Sequence, residues 1–299
     1  MTQQRRTVAL AKGLVAVVVW GASFIATKVA LAEAAPVAVV WARFAIGLVV
    51  LALVTAARRE ATTVPPARLL VLALLGLQGV TFHQWLQSMA LVTSEASTSG
   101  WLVASAPVFI VLLAALFLGE RLTPWQVAGI VVASVGVLEV VTRGDLAALV
   151  SRGLPVPSDL AMLLSAGNWA VFSVLSRRLL AGQPATRTLL VVMLAGWLGT
   201  SALAVAGDGL GQLGHVSLKG WAALAFLGVF CSGLAYILWY DALAGAPAAV
   251  VGALLYLEPL VAQIVATLLL GEQLRPATLL GGTGVLLGVW LVNRSPGNR

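Results

Sequence analysis

Ten runs of about twenty apolar residues, separated by glycine, proline or charge, leave this chain few folds to choose from. They lie at about 9–32, 36–57, 68–89, 94–118, 123–142, 158–180, 185–206, 218–241, 246–270 and 275–293. A helix rises about 1.5 Å per residue, so about twenty apolar residues cover a hydrocarbon core about 30 Å thick. Unpaired backbone groups are too costly in that medium, so each run is expected to be helical. Only 10% of the 299 residues are charged, against about 25% in a soluble domain. The expected class is an all-α polytopic membrane protein of ten transmembrane helices, with the lipid bilayer as its solvent.

The net charge of +7 does not point to nucleic acid, because the basic residues stand at the ends of the apolar runs. With the N-terminus inside, Arg5, Arg6, Lys12, Arg58, Arg59, Arg68, Arg121, Arg177, Arg178, Arg187, Arg294 and Arg299 fall on the cytoplasmic side. Arg143, Arg152, Lys219 and Arg275 fall outside, and Lys28 and Arg43 lie within spans. That bias predicts a multi-pass bacterial inner-membrane protein with both termini in the cytoplasm. The first run is too long for a secretory signal and reads as a span. The single cysteine, Cys231, excludes an intramolecular disulfide framework.

An internal repeat organises the chain. Ala90-Leu91, Pro107, Leu118-Gly119-Glu120-Arg121-Leu122 and Pro124 recur as Ala242-Leu243, Pro259, Leu270-Gly271-Glu272-Gln273-Leu274 and Pro276, shifted by 152 residues. Gly129 and Gly136 recur as Gly281 and Gly288 at the same shift, while Trp20 and Lys28 recur as Trp169 and Arg177 at 149. Residues 1–142 and 158–299 are therefore expected to be two five-helix repeats, joined by an external linker at 143–157. Five spans reverse the direction of entry, so the second repeat is expected to be inverted. Such 5+5 architecture suits alternating access around a site where the halves meet.

The paired pattern of Pro, Leu-Gly-Glu-x-Leu and Pro resembles the EamA-type branch of the drug/metabolite transporter superfamily. Trp20-Gly21-Ala22-Ser23-Phe24 with Lys28 is similar to that family's first helix, and Leu257-Glu258-Pro259 to its ninth. Within the branch the chain is most similar to the bacterial aromatic amino-acid exporters of the YddG type. The resemblance implies a secondary transporter that exports small organic metabolites, aromatic amino acids and related amphipathic compounds among them. Another metabolite or an organic cation as cargo, or a channel, is the alternative.

Helical spacing selects candidate lining residues. Trp20, Ser23 and Phe24 share a face with Thr27 and Lys28, and Asn168 stands beside Trp169 in the equivalent span. His83, Gln84, Gln87 and Ser88 cluster in the third span, and the 152-residue shift maps the last three to Tyr236, Trp239 and Tyr240 in the eighth. Ser97 and Trp101 lie on one stripe of the fourth. Hydroxyls and amides among aromatics supply neutral hydrogen-bonding groups and flat apolar faces, which suits a planar or amphipathic small-molecule substrate. The same residues could equally form helix interfaces. His83 is either a proton relay or a hydrogen-bonded structural histidine.

Three charges interrupt apolar runs: Lys28, Arg43 and Glu258. Each needs a partner or water. Glu258 could be a proton site or could form a salt bridge to Lys28 or Arg43. Pro107 and Pro259 are expected to kink their helices and to act as hinges. Gly281, Gly284 and Gly288, with Gly129 and Ala133, are expected to bring spans five and ten close together. Trp125, Trp221 and Trp290 read as an interfacial belt. No Cys/His cluster, HExxH, GxSxG or phosphate-binding loop is present, so neither enzyme activity nor a metal or other cofactor is expected. A monomer would contain the whole site.

Overall fold

A computed structural model describes residues 3–58, 64–118, 122–145, 157–179, 185–207, 209–246, 251–252 and 254–293. Among these the chain is helical throughout, without strands. The helices are α1 (Gln3–Leu31), α2 (Pro36–Ala57), α3 (Pro66–Thr93), α4 (Ala96–Val103 and Ala106–Leu118), α5 (Pro124–Thr142), α6 (Pro157–Leu179), α7 (Ala185–Ala206), α8 (Leu218–Gly245), α9 (Glu258–Leu270) and α10 (Pro276–Asn293). Nine of them are long and apolar enough to cross a membrane. In the expected ninth span, 246–270, residues 247–250 and 253 lie outside the described residues, and the part from Leu254 to Leu270 is an apolar helix that starts with a 3-10 turn at Leu254–Leu257.

Proline sets many of the helix starts. Pro36, Pro66, Pro124, Pro157 and Pro276 each stand first in their helix, where a missing N–H costs nothing and the fixed φ suits the turn. Pro107 and Pro259 stand second in Ala106–Leu118 and Glu258–Leu270. They do not kink a continuous span. Each opens a fresh helical segment after a break, at Ala104–Ser105 in α4 and after the 3-10 turn in α9.

Two helices contain π-helical stretches, Leu77–Phe82 in α3 and Phe226–Leu234 in α8. Their last residues, Phe82 and Leu234, correspond under the 152-residue shift. A π turn breaks the regular hydrogen-bonding ladder and is frequent at functional sites.

Each helix of the first five finds its main partners among the last five. α1 packs on α8 and α9, α6 on α3 and α4. α2 packs on α8, and α7 on α3. α2 meets α7, α4 meets α9, and α5 meets α10. The α5–α10 contact is the closest in character, because glycines let the backbones touch. A Cβ on Gly129 would lie 2.6 Å from the Gly288 carbonyl oxygen, and one on Gly136 would lie 2.5 Å from that of Gly281. The expected glycine interface is therefore present. The outward faces of the bundle carry Leu70, Leu116, Phe117, Leu268, Leu269 and Leu280, all well exposed, as lipid-facing side chains should be.

Candidate functional site

The second Leu-Gly-Glu motif shows how local sequence places a functional group. Gly271 ends α9 with φ of +67°, a left-handed conformation that glycine adopts without Cβ strain. The Glu272 N–H then bonds the Ala266 carbonyl at 3.3 Å, and the chain turns back. This carries the Glu272 carboxylate to the start of α4, where it accepts from Ala96 N–H at 2.8 Å, Ser97 N–H at 3.0 Å and Ser97 Oγ at 2.6 Å. Arg275 pairs with Glu95 at 3.1 Å beside it. Ser94 donates to Asp159 at 2.7 Å, and Lys28 donates to the Ser94 carbonyl. The first copy of the motif, Gly119-Glu120-Arg121, lies outside the described residues, as do residues 146–156 of the linker.

A second polar cluster lies at the opposite end of the bundle. Asp241 accepts from Lys12 Nζ at 2.7 Å and takes Arg58 in a two-pronged pair, both contacts at 3.1 Å. It joins α1, α2 and α8. On the Glu272 side, Glu33 in the α1–α2 turn accepts from Ser217 N–H at 2.6 Å and Ser217 Oγ at 2.7 Å. Those hydrogen bonds, with help from Lys219, hold the Glu33 carboxyl below the usual carboxylate range.

Between the two ends lies an aromatic centre. Trp20 meets the Tyr236 ring edge-on at 5.3 Å and the Trp239 ring at 5.4 Å. Its indole N–H donates to the Cys231 carbonyl at 3.1 Å, inside the π-helical part of α8. On the other side His83 lies 5.2 Å from Trp169, which stacks on Phe172 at 5.2 Å. The His83 Nδ1 contacts Ser165 Oγ at 3.2 Å. Asn168 exchanges hydrogen bonds with Gln78 in the π-helical part of α3, with Nε2 to Oδ1 at 2.7 Å. Both π segments therefore meet the first helix of the other half.

Arg43 is 5% exposed, with Nε on Ser232 Oγ at 3.1 Å and Nη1 on Gln84 Oε1 at 3.1 Å. Its guanidinium lies over the Phe44 ring at 5.3 Å. Among the described residues no carboxylate pairs with it, and Glu258 forms no ion pair either. The expected salt bridge from Glu258 to Lys28 or Arg43 is thus absent among the described residues: Lys28 is taken by the Ser94 carbonyl, and Arg43 by neutral groups.

The sequence candidates divide accordingly. Trp20, His83, Gln84, Asn168, Trp169, Tyr236 and Trp239 converge on the centre, with Tyr240 one turn beyond Tyr236 and Gln87 half-buried in α3. Ser23 is half-buried on α1. Ser97 belongs to the Glu272 cluster instead. Trp101 is 1% exposed, bonds Gln263 at 3.3 Å and packs so tightly on Gly282 that a Cβ there would lie 2.4 Å from its ring. It shares a packed cluster with Phe24. Trp41 and Trp197 meet at a tilt, with ring centroids 5.7 Å apart, and Trp41 bonds Ser201 at 2.9 Å. Sequence reasoning missed Gln78, Ser165, Ser232 and Asp241. Gln78 and Ser232 sit in π turns, where simple helical spacing misassigns the face.

Comparison with known proteins places this arrangement. The model of the EamA-like transporter family matches residues 7–142 and again residues 156–294. The chain belongs to the EamA-like transporter family. It is 34% identical to a probable terminal-alkyne amino-acid exporter of Streptantibioticus cattleyicolor, over 93% of this chain and 91% of that one. It is 30% identical to an uncharacterized transporter of Archaeoglobus fulgidus, over 91% and 93%. A probable amino-acid metabolite efflux pump of Salmonella typhimurium is 26% identical over 93% and 92%. A solved crystal structure at 21% identity superimposes with a TM-score of 0.68, covering 95% of this chain and 94% of that one, which shows the same fold. This EamA-family protein is therefore a multi-pass membrane transporter.

Proposed function

We propose that this EamA-family protein exports small amphipathic amino-acid metabolites, aromatic ones among them, by alternating access between two inverted five-helix repeats. The reciprocal packing of the halves carries this reading. Exchanging α1–α5 with α6–α10 turns the α1–α8 contact into α6–α3, α1–α9 into α6–α4, and α2–α8 into α7–α3. The same exchange turns the Gly129–Gly288 contact into Gly281–Gly136. Those two contacts run in opposite directions along α5 and α10, as an inverted relation requires. A chain built this way has a second conformation of similar energy in which the halves swap roles.

The aromatic centre supports an amphipathic cargo, and the relatives' names support an amino acid and the direction of export. The Glu272 and Asp241 clusters close opposite mouths, and the breaks before Pro107 and Pro259 are the hinges. The excess of Lys and Arg at one side supports a bacterial inner-membrane location with both termini in the cytoplasm. Purified protein in proteoliposomes should give saturable flux of at least one aromatic, aliphatic or alkyne-bearing amino acid. A crosslink across either mouth should stop it. Non-saturable movement, or undiminished flux in both crosslinked forms, overturns the reading.

A further inference from the structure

We propose that Arg43 and Glu258 are the two poles of a zwitterion site: the Arg43 guanidinium takes the α-carboxylate of the cargo and the Glu258 carboxylate takes its α-ammonium. This rests on the amino-acid reading above and assigns the atoms that recognise the class. A buried arginine without a carboxylate is costly unless something anionic visits it. Arg43 is such a residue, and two neutral acceptors aim it rather than neutralise it: Ser232 on Nε and Gln84 on Nη1. Among the described residues the remaining nitrogen, Nη2, has no protein acceptor, yet it is not one of the sealed unpaired atoms there, which are Gln78 Oε1, Ser99 Oγ, Ser158 Oγ and Trp197 Nε1. Nη2 is therefore not fully covered by the protein. Among the described residues the Glu258 carboxylate and the Tyr236 hydroxyl likewise have no protein hydrogen bond and are not sealed.

A chain of neighbouring residues connects these groups. Tyr236 stands one helical turn after Ser232 and packs edge-on against Trp20. Gly21, next to Trp20, lies against the Glu258 backbone, since a Cβ there would be 2.8 Å from the Glu258 carbonyl oxygen. Glu258 begins α9, so its carboxylate sits at the N-terminal end of that helix. A positive pole, a negative pole and an aromatic floor between them match an α-amino acid with an apolar side chain. An arginine fork suits a carboxylate in particular.

The test is counterflow of labelled L-phenylalanine in proteoliposomes, with the full chain, in competition with phenethylamine (no carboxylate) and 3-phenylpropanoate (no ammonium). Wild-type protein should prefer phenylalanine to both. Arg43→Gln should raise the KM for phenylalanine about 10- to 100-fold and abolish the preference over phenethylamine alone. Glu258→Gln should abolish the preference over 3-phenylpropanoate alone. If Arg43→Gln does not fold, Gln84→Leu and Ser232→Ala report instead: each should weaken carboxylate-bearing compounds selectively and spare phenethylamine. Equal losses for all three compounds, or wild-type indifference among them, overturn the zwitterion site while leaving transport intact. Failure of wild type to move or bind any α-amino acid overturns both this and the proposed function.

Discussion

Glu272 and Ser97 are 175 residues apart in sequence, yet the carboxylate of one accepts both the backbone N–H and the hydroxyl of the other. An anion at a helix start satisfies orphan N–H groups and complements the positive end of the helix. Glu272→Ala should therefore destabilise the detergent-solubilised protein by about 1–2 kcal/mol, read as a fall in melting temperature. Glu272→Gln keeps one acceptor and should fall between the two. No change in either variant would remove Glu272 from the closure of that mouth.

Asp241 makes the matching contact at the other end, but its partners are partly exposed. Asp241→Asn should cost about 1 kcal/mol or less, and high salt should shrink the difference from wild type. Under the proposed alternating access the cluster breaks and re-forms in each cycle, so its effect on flux should exceed its effect on stability. A melting-temperature series across salt concentrations, beside flux, checks both parts.

Two glycines should respond differently to alanine. A Cβ at Gly136 meets the Gly281 carbonyl at 2.5 Å, so Gly136→Ala should push α5 from α10 and cost about 1–3 kcal/mol. Gly271 has open space around it, and its cost is conformational, about 1–2 kcal/mol for a residue with a Cβ at positive φ. Gly271→Asn should recover part of that loss, whereas Gly136→Asn should be worse than alanine. Thermal unfolding of the four variants separates steric from conformational cost.

The Glu33 carboxyl, held below its ordinary range by Ser217, links stability to pH. A lowered folded value means its contribution is present above about pH 4.3, the unfolded value. The contribution is lost as pH falls through the lower folded value. Wild type should therefore lose melting temperature on acidification faster than Glu33→Gln over that window. Parallel curves would show that Glu33 contributes no linkage.

Run length and punctuation made the helices legible, because lipid allows little else. The repeat was legible in Pro107 and Pro259, Gly129 and Gly281, whose physical roles demand those residue types. Less legible was the break at Pro259: an apolar run reads the same whether one helix or a 3-10 turn and a shorter helix spans it. Trp101 looked like a lining residue from its stripe, but only the position of Gly282 on another helix reveals the packing that buries it. The pairing of Gln78 with Asn168, and of Arg43 with Ser232, runs through π turns that shift the face a side chain presents. Spacing rules for a regular helix do not see that shift.

Because every helix of the first five has its main partners among the last five, biosynthesis has a particular order. The leading helices enter the bilayer with their mating surfaces uncovered and wait there until the trailing ones arrive. Expressed as two separate polypeptides, the pieces should reassemble with each other, and a solitary first piece should be cleared by membrane quality control.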